Sequence, residues 1–423
     1  MIIASSTIAQ EFGTATIVTY NLTYYRETTT NCNGNNNDAN VKDDALAKIV
    51  DFVNPDILVC QEIGSNFTNP SKLIAGALNI NGVTKWEQGD YSNNGSNLVN
   101  MLFYNSEKFE LYEQDYISKD LNGANLVRVI DFYTLYYKDP NLTFGSDTVF
   151  FTIGAAHLKA GNSSSDEAQR GRATAAVMDY IETNDLKGNL FFVGDLNVYT
   201  DNESAFQNLV NHSNASYNFY DPVNALGNWN SNSSYAAYHT QSTRVNSNGC
   251  LTGGGMDDRF DHILINEAVK DGNHGVEYIN NSFRVVGQDG NRYNQSVIFP
   301  QNFSVPKGID TALYNLSDHL PVRVDITMDK ILVGVRESEI LNKNVLVTNP
   351  IDDKITIHIN NGITLKNAKI EVLDISGKRI YEQAFETLNN LQTFALQNQP
   401  VGTYILRISE HQKPIHIQKI VNQ

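Results

Sequence analysis

Six stretches of the chain place residues that can bind a metal ion or move a proton at the ends of short apolar runs. These residues are, in chain order, Asn21, Glu62, His157, Asp195, Asn197, Asp261, Asp318 and His319. A carboxylate at the end of a buried strand is costly unless it has partners, although Asp and Asn are also common turn residues. One such ending is weak evidence, but six at one end of a sheet sandwich predict a site.

The apolar runs predict the elements that position these side chains. Residues 190–193 read Leu-Phe-Phe-Val, which indicates a strand covered on both faces, and Gly194 ends it. Buried strands joined by helices and meanders predict the α/β class, as a four-layered α/β sandwich over residues 14–328. Helical patterns are present at residues 42–53, 166–182 and 203–210.

The order of these motifs resembles the endonuclease/exonuclease/phosphatase family, which has a deoxyribonuclease I-like fold. The family includes deoxyribonuclease I, abasic-site endonucleases, sphingomyelinases and inositol polyphosphate 5-phosphatases. The resemblance covers roughly residues 14–328. Its specificity comes from the order of the motifs, which are Asn21, Gln61-Glu62, His157, Gly194-Asp195-Leu196-Asn197, Asp261 and Ser317-Asp318-His319.

The resemblance implies a role for each residue in water attack on a phosphate ester. Glu62, with Asn21 and Asp318, is expected to hold Mg²⁺ or Mn²⁺, because carboxylate oxygens suit hard cations. His319 is expected to be a base that Asp261 orients. Asp195 and Asn197 are expected to position the water and the phosphate. His157 is expected to protonate the leaving oxygen or to stabilise the phosphate. In abasic endonucleases the residue that matches Asp195 is often assigned as the base.

Two basic residues are candidates for phosphate binding beside Asn197. Arg128 lies in an apolar strand, so its charge needs a partner, which is either a substrate phosphate or a neighbouring acid. Lys159 follows His157 closely. The arginines of the 166–182 helix, Arg170 and Arg172, are expected on the solvated surface. The polar segment 211–258 is expected to form one wall of the cleft, with His239 as a candidate substrate contact.

Composition limits the kind of partner. The 423 residues carry a net charge of -16, with a sequence pI of about 4.9, so the chain is not a general binder of polyanions. The last 93 residues hold 10 Lys+Arg and 9 Asp+Glu of the chain's 31 and 47, which leaves 21 and 38, a net of -17, in residues 1–330. Any phosphate must therefore be held by local cations and a metal. No apolar run is long enough to span a membrane. Residues 1–13 lack a complete signal peptide and are either a trimmed remnant or an artefact.

The pattern changes near residue 330. A catalytic domain at 1–330 is expected, then a linker at 331–343 and a small all-β sandwich at 344–423 with period-two alternation. The last segment resembles the C-terminal sorting domain of type IX secretion, and an ordinary binding sandwich is the alternative. The matching features are Asn349-Pro350, residues 374–379, Val401-Gly402-Thr403-Tyr404 and Lys419-Ile420-Val421. The resemblance implies a secreted or cell-surface protein that interacts with the type IX machinery.

Three cysteines and an Asn-rich loop allow structural crosslinks. Cys60 lies within a strand and is expected to be a buried thiol. Cys32 and Cys250 lie in loops at the catalytic end, and an exported protein could pair them or leave them free. Asp38 could help to bind a structural Ca²⁺, but an Asn-rich loop is more often only solvated.

Three functions remain open on these grounds. The first is a secreted, monomeric, metal-dependent phosphodiesterase, an endonuclease that digests extracellular DNA without sequence preference. The second is a sphingomyelinase-like phospholipase C or a phosphatase of small phosphate esters. The third is a surface adhesion module without catalysis, and the intact polar set argues against it.

Overall fold

The structure, a computed structural model, divides the chain into two compact units, residues 1–330 and 331–423. It describes residues 12–139, 148–329, 345–351, 354–359, 364–374, 377–389, 391–396, 399–410 and 413–423. The expected linker at 331–343 and the first eleven residues of the N-terminal segment lie outside this description. No helix in the described ranges has the length and apolar character that a membrane crossing requires.

The first unit contains two mixed sheets. Its strands are β1 (Phe12–Tyr25), β2 (Ile57–Gly64), β3 (Trp86–Gln88), β4 (Leu98–Asn105), β5 (Phe109–Lys119), β6 (Asn125–Tyr137), β7 (Phe150–His157), β8 (Asn189–Asp195), β9 (Phe219–Tyr220), β10 (Asp261–Asn266), β11 (Val276–Tyr278), β12 (Arg284–Val285) and β13 (Val322–Asp329). One sheet has the order β11-β13-β1-β2-β4-β3, with β12 also on β13. The other has the order β5-β6-β7-β8-β10-β9.

Helices cover the outer faces of both sheets. They are α1 (Ala39–Val53), α2 (Asn69–Leu73), α3 (Ser164–Thr183), α4 (Ser204–Val210), α5 (Glu267–Asp271) and α6 (Ile309–Leu316). One core cluster joins the facing sheets and includes Leu46 of α1 and Leu313 of α6. A second cluster packs α3 and α4 on the outer face of the other sheet, through residues such as Val177 and Phe206. The layers therefore run helix, sheet, sheet, helix, and the predicted four-layered α/β sandwich is confirmed.

Strand direction brings the polar strand ends together. β1 pairs with β2 in parallel, and β7 pairs with β8 in parallel, so each pair ends at one edge of its sheet. In this register His157 lies beside Asp195, and antiparallel β10 places Asp261 on the other side of Asp195. The polar strand ends of both sheets lie at the same end of the sandwich, and a site forms there between the two sheets.

Helix α1 begins and ends with local signals. The side chain of Asp38 accepts hydrogen bonds from the backbone N–H groups of Asn40 and Val41, as an N-cap does. Asn54 ends the helix in the left-handed conformation, with φ 49°. Asp38 belongs to neither of the metal-compatible clusters among the described residues, and its carboxylate serves the helix end. Calcium binding by Asp38, the less favoured of the two alternatives, stays untested.

The second unit is a pair of antiparallel sheets around one core. Its strands are β14 (Val345–Val347), β15 (Lys354–Ile359), β16 (Leu365–Asp374), β17 (Arg379–Leu388), β18 (Leu391–Ala395), β19 (Gly402–Glu410) and β20 (Lys413–Asn422). The sheet orders are β14-β15-β18 and β17-β16-β19-β20. The predicted small all-β fold is confirmed, although the sequence pattern did not predict β18.

A disulfide joins two loops at the catalytic end of the first unit. Cys32 and Cys250 are bonded, 218 residues apart in sequence, while Cys60 is a buried free thiol. Side-chain amides reinforce the junction, since Asn36 Nδ2 donates to the carbonyl of Asn248 (3.0 Å) and Asn248 Nδ2 donates to the carbonyl of Asn36 (3.2 Å). The link ties the loop after β1 to the 246–255 segment.

Loss of this crosslink should cost stability, because a long closed loop limits the freedom of the unfolded chain. We expect Cys32→Ser with Cys250→Ser to lower the free energy of unfolding by about 2–4 kcal/mol. Guanidinium unfolding with and without reductant checks this, with Cys60→Ala as the matched control. Reductant should bring the wild type to the level of the double variant and leave the double variant unchanged. Equal stability of oxidised wild type and double variant would contradict the assignment.

Candidate functional site

The strand ends of both sheets meet in a compact polar cluster. Asn21 lies in the last third of β1, and its Nδ2 is 3.0 Å from Glu62 Oε1 and 2.9 Å from Asp195 Oδ2. His157 Nε2 lies 3.3 Å from Asp195 Oδ2 and 3.8 Å from Glu62 Oε1. Four of the predicted site residues therefore contact one another, namely Asn21, Glu62, His157 and Asp195.

The local backbone is shaped to aim these side chains. Glu62 adopts a left-handed conformation, with φ 61°, and its Oε2 accepts a hydrogen bond from the backbone N–H of Tyr24 (3.0 Å). Gly194 has φ 133°, and a Cβ there would lie 1.9 Å from the carbonyl oxygen of Ala156, so only glycine fits. Non-glycine residues in such conformations concentrate at functional sites.

A second group of residues adjoins the first through Asp195. His319 Nδ1 lies 2.7 Å from Asp261 Oδ2, and His319 Nε2 lies 3.9 Å from Asp195 Oδ2. Burial opposes the charged imidazolium of His319, but the nearby carboxylates, Asp261 first, raise its pKa well above the ordinary value. This is the geometry of a histidine whose ring a carboxylate orients.

Burial has the largest effect on the pKa of two further groups of the site, Asp195 and His157. Burial raises the pKa of Asp195 to about 7, and repulsion from Asp261 and Glu62 adds to the effect, while His319 opposes it. Burial lowers the pKa of His157 well below its ordinary value, and the charges of Arg128 and His319 add to it. His157 is therefore a neutral ring, which can donate or accept a hydrogen bond but carries no charge.

The donor set fits a divalent metal ion. Two groups of ligand atoms lie within 4.8 Å of one another, namely Glu62, His157 and Asp195, and Asp195, Asp261 and His319. In the described part of the chain, no Lys or Arg forms an ion pair with the three carboxylates of these groups. Buried Asp261 Oδ1 has no hydrogen-bond partner either. Clustered carboxylates without a cation are costly, so a bound cation would relieve them.

The candidate phosphate-binding residues differ in how far their polar atoms are already occupied by hydrogen bonds. Arg128 Nη1 reaches only the carbonyls of His157 (3.5 Å) and Leu158 (3.4 Å), and its buried Nε has no partner. Among the described residues Arg128 forms no ion pair, so its charge is not neutralised by a neighbouring acid, which was the alternative to a substrate phosphate. Asn197 donates its N–H to Asp195 Oδ1 (3.0 Å) and its Nδ2 to the Leu158 carbonyl (3.3 Å).

Lys159 and Arg172 lie near Arg128 but are already paired. Lys159 Nζ lies 2.9 Å from Asp166 Oδ1, and Arg172 Nε lies 3.0 Å from Asp120 Oδ2. Together with Arg128 and His157 they line an open cleft. Lys159 can contact a phosphate only by sharing its charge with Asp166.

Two predicted metal ligands have other contacts. Asp318 accepts hydrogen bonds from Thr23 Oγ1, from the Thr252 N–H (2.8 Å) and from Gln241 Nε2 (3.3 Å), and it belongs to neither metal-compatible group among the described residues. Asn21 presents its nitrogen to the carboxylates, while its Oδ1 accepts from the Thr23 N–H (2.9 Å). Metal ligation by these two residues stays a prediction, and the contacts favour positioning roles.

Two expectations about basic residues are wrong. Arg170 is not on the solvated surface, since it is 1% exposed and donates to Glu203 Oε2 from two nitrogens, at 2.8 and 2.7 Å. His239 does not face the cleft, because it is fully buried and its Nε2 lies 2.9 Å from the Trp229 carbonyl. Helical and loop patterns do not reveal a buried ion pair, because the partner lies far away in sequence.

His262 follows the expected alternation. It points away from Asp261 into the outer core, between the rings of Phe206 and Trp229, and its Nε2 lies 3.0 Å from the Arg259 carbonyl. Burial lowers the pKa of His262 to about 3, and the charge of Arg259 adds to this. The ring is a neutral part of the core.

Sequence reasoning missed two residues beside the site. Gln241, in the long polar loop, contacts both Asp318 and His319, and no local pattern marks it. Lys42 of α1 is buried, and its Nζ donates to the carbonyls of Leu22 (2.9 Å) and Thr23. A signal for Lys42 existed, because it lies one turn before Leu46 on the apolar face of the helix.

Several solved structures resemble the first unit. The catalytic domain of human Nocturnin is 13% identical, covers 75% of this chain and 97% of its own, and has a TM-score of 0.45. An endonuclease/exonuclease/phosphatase from Bacteroides vulgatus is 17% identical, with coverages of 75% and 99% and a TM-score of 0.45. TDP2 from C. elegans is 18% identical, with coverages of 74% and 75% and a TM-score of 0.46. At this level of likeness none of them carries an argument about substrate. No curated protein matches the chain.

Two family models match the sequence itself. The model of the endonuclease/exonuclease/phosphatase family matches residues 28–319, and that of the secretion system C-terminal sorting domain matches residues 348–423. The first match spans more than half of the chain and contains most of the residues that form the site, from Glu62 to His319. The sorting domain indicates a secreted or cell-surface protein that interacts with a secretion system. The chain belongs to the endonuclease/exonuclease/phosphatase family.

Proposed function

We propose that this family hydrolase is a secreted, divalent-metal-dependent phosphodiesterase that acts on extracellular DNA. The observation that carries the proposal is the contact of two polar groups through Asp195. Glu62, His157 and Asp195 form one group, and Asp195, Asp261 and His319 form the other. A carboxylate-rich group beside an oriented histidine supplies what hydrolysis of a phosphate ester needs.

Each residue has a task in the proposed reaction. Mg²⁺ or Mn²⁺, held by Glu62 and Asp195, would neutralise charge that develops on the phosphoryl oxygens. Asp261 holds the ring of His319 through Nδ1, which leaves Nε2 directed at Asp195. The raised pKa of His319 would fall with a metal ion on the carboxylates, which would let Nε2 take a proton from water. Asn197 is fixed by its contacts with Asp195 and Leu158, and it orients the phosphate.

His157 and Arg128 serve the phosphate from the side of β7. The neutral ring of His157 is better suited to donate a hydrogen bond to a phosphate or leaving oxygen than to act as a charged acid. Arg128 lacks an acidic partner and can form charge-assisted hydrogen bonds with a phosphate oxygen. Both line the open cleft, and His157 also contacts Glu62 and Asp195, which are not part of its lining.

A small phosphate ester is the second candidate, and a specific observation favours it. Lys159 and Arg172 are neutralised by Asp166 and Asp120, so Arg128 is the cation near the cleft that forms no ion pair in the described ranges. Residues 1–330 also have a net charge of -17. Long DNA gains affinity from many phosphate contacts, whereas a small ester needs only one.

Hydrolysis of a substrate panel separates these candidates. Purified protein is assayed with plasmid DNA, sphingomyelin and p-nitrophenyl phosphate esters, each with Mg²⁺, Mn²⁺, Ca²⁺ or EDTA. The DNA proposal predicts nicked and then fragmented plasmid, with a rate that falls steeply as salt rises because phosphate contacts are screened. Hydrolysis of small esters with an intact plasmid would favour the second candidate, and sphingomyelin turnover would point to a phospholipase C.

The sorting domain should be dispensable for chemistry. Residues 345–423 in the described ranges form their own core, and the metal-compatible clusters all lie in the first unit. We expect a chain that ends at residue 330 to hydrolyse substrate at the full-length rate. In a host with type IX secretion, the full-length chain should be exported and the shortened chain retained. A folded 1–330 chain without activity would contradict this.

A further inference from the structure

A short segment of the long polar loop, Thr240-Gln241, bridges the backbones that carry Asp261 and His319. Thr240 Oγ1 accepts hydrogen bonds from the N–H groups of Phe260 (3.1 Å) and Asp261 (3.3 Å). The Thr240 carbonyl accepts from the Leu320 N–H at 2.8 Å. Thr240 therefore links the start of β10 to Leu320 through its hydroxyl and its carbonyl, and the next side chain, Gln241, points at His319.

The amide of Gln241 touches two groups at once. Its Nε2 lies 2.8 Å from His319 Nε2 and 3.3 Å from Asp318 Oδ2. An ionised carboxylate can only accept hydrogen bonds, so the amide nitrogen must be the atom that faces Asp318. In the neutral form of the ring, which a base requires, the same nitrogen then donates to the unprotonated His319 Nε2.

Asp318 is in turn held from two further sides. Its Oδ1 accepts from Thr23 Oγ1, and its Oδ2 accepts from the N–H of Thr252 at 2.8 Å. Thr252 lies two residues beyond Cys250, whose disulfide anchors that loop. The carboxylate of Asp318 is thus a rigid anchor from which Gln241 reaches the histidine.

We propose that Gln241 is a positioning residue, which holds the Nε2 side of the His319 ring while Asp261 holds the Nδ1 side. The hydrogen bond that one ring nitrogen makes sets the tautomer of the other. Donation from Gln241 to Nε2 and from Nδ1–H to Asp261 selects the tautomer with its lone pair on Nε2, the atom that faces Asp195. When water arrives at Nε2, the amide retains its bond to Asp318.

The proposal rests on the proposed function only in naming His319 as the base. Gln241→Met keeps the length of the side chain and removes the N–H donors, and Gln241→Glu keeps its shape and turns the donor into an acceptor that faces Asp318. Partners that orient a site residue from outside typically contribute about 10–100-fold. We expect kcat to fall by about that factor in Gln241→Met, with KM and melting temperature nearly unchanged, and to fall further in Gln241→Glu.

Gln288→Met is the matched control. Gln288 Nε2 donates to the carbonyl of His239 (3.1 Å), so it is a loop glutamine bonded to the residue two positions before Gln241, and it has no hydrogen bond to His319 or Asp318 in the described ranges. It should lose some melting temperature and keep kcat. A purely structural role for Gln241 would give the same pattern as Gln288, and that result would overturn the proposal.

Nitrogen NMR of the histidine rings tests the tautomer without relying on turnover. Full-length protein labelled at histidine nitrogens is recorded with Mg²⁺ across a pH series that reaches the neutral form of the ring, because the carboxylates outweigh burial and raise the pKa of His319. The His319→Asn variant identifies the His319 signals. In the neutral ring, the proposal predicts Nδ1–H with unprotonated Nε2 in the wild type, and loss of that preference in Gln241→Met. A neutral ring protonated at Nε2 in the wild type, or an unchanged tautomer in the variant, would refute it. If the tautomer behaves as predicted but no substrate is turned over, the positioning role stands and the proposed function fails.

Discussion

Glu62→Gln should lower kcat by at least about 10²-fold while the protein keeps its fold, because a metal ion supplies several kcal/mol of charge stabilisation and each 1.36 kcal/mol is a factor of ten. Glutamine preserves the shape of the side chain and can still accept from the Tyr24 N–H. It removes the negative charge, which is 3.8 Å from His157 and shares Asn21 with Asp195. The loss should therefore lie in metal binding and rate.

Steady-state rates across a Mg²⁺ titration, together with melting temperatures, measure this effect. Glu87→Gln is the matched control, since Glu87 Oε2 accepts from the hydroxyl of Tyr104 (3.0 Å) far from the cluster. The control should keep the wild-type rate. Wild-type turnover by Glu62→Gln in Mg²⁺ would remove Glu62 from the metal site.

Of His157, His319 and His262, we expect the first two to serve the reaction and the third to serve the core. Loss of a positioned base costs about 10²–10⁴-fold in rate, so His319→Ala should fall in or beyond that range. His157→Ala removes a hydrogen-bond donor to developing charge and should cost about 10²–10³-fold. Both variants should keep nearly normal melting temperatures. His262→Ala should instead leave a cavity between Phe206 and Trp229 and cost about 2–5 kcal/mol of stability. Its rate per folded molecule should be close to that of the wild type.

Rates and melting temperatures of the three variants, measured side by side, check this division. Burial lowers the pKa of His262 to about 3, so its ring stays neutral and does not change charge near neutral pH. A catalytic collapse in well-folded His262→Ala, with His157→Ala unaffected, would overturn the assignment of the site.

The strand ends were predictable because strand periodicity is local and the site is built on it. Alternation along β10 was enough to place Asp261 and His262 on opposite faces, and a glycine before Asp195 marked the end of a buried strand. The fold class followed from the same runs. The meeting of Glu62 with Asp195 needs contact between two sheets, and only the family resemblance predicted it.

Other parts of the site depend on partners that no local pattern encodes. Arg170 looked like a surface residue because its partner Glu203 lies 33 residues away, and charge in a helix is usually solvated. Gln241 lies in a polar loop without periodicity, so its contact with His319 could not be inferred. The disulfide was left open because loop cysteines give no geometry until the fold brings them together.

The central claim is that one site, centred on Glu62, Asp195 and His319, hydrolyses a phosphate ester with the help of a divalent metal ion. The most direct measurement is the hydrolysis of bis(p-nitrophenyl) phosphate and plasmid DNA by the purified chain before and after EDTA, with Mg²⁺ or Mn²⁺ then restored, and with Asp195→Asn in parallel. The account predicts activity that EDTA abolishes, that metal restores, and that the variant lacks under every condition. Full turnover in EDTA, or equal turnover by Asp195→Asn, would contradict it.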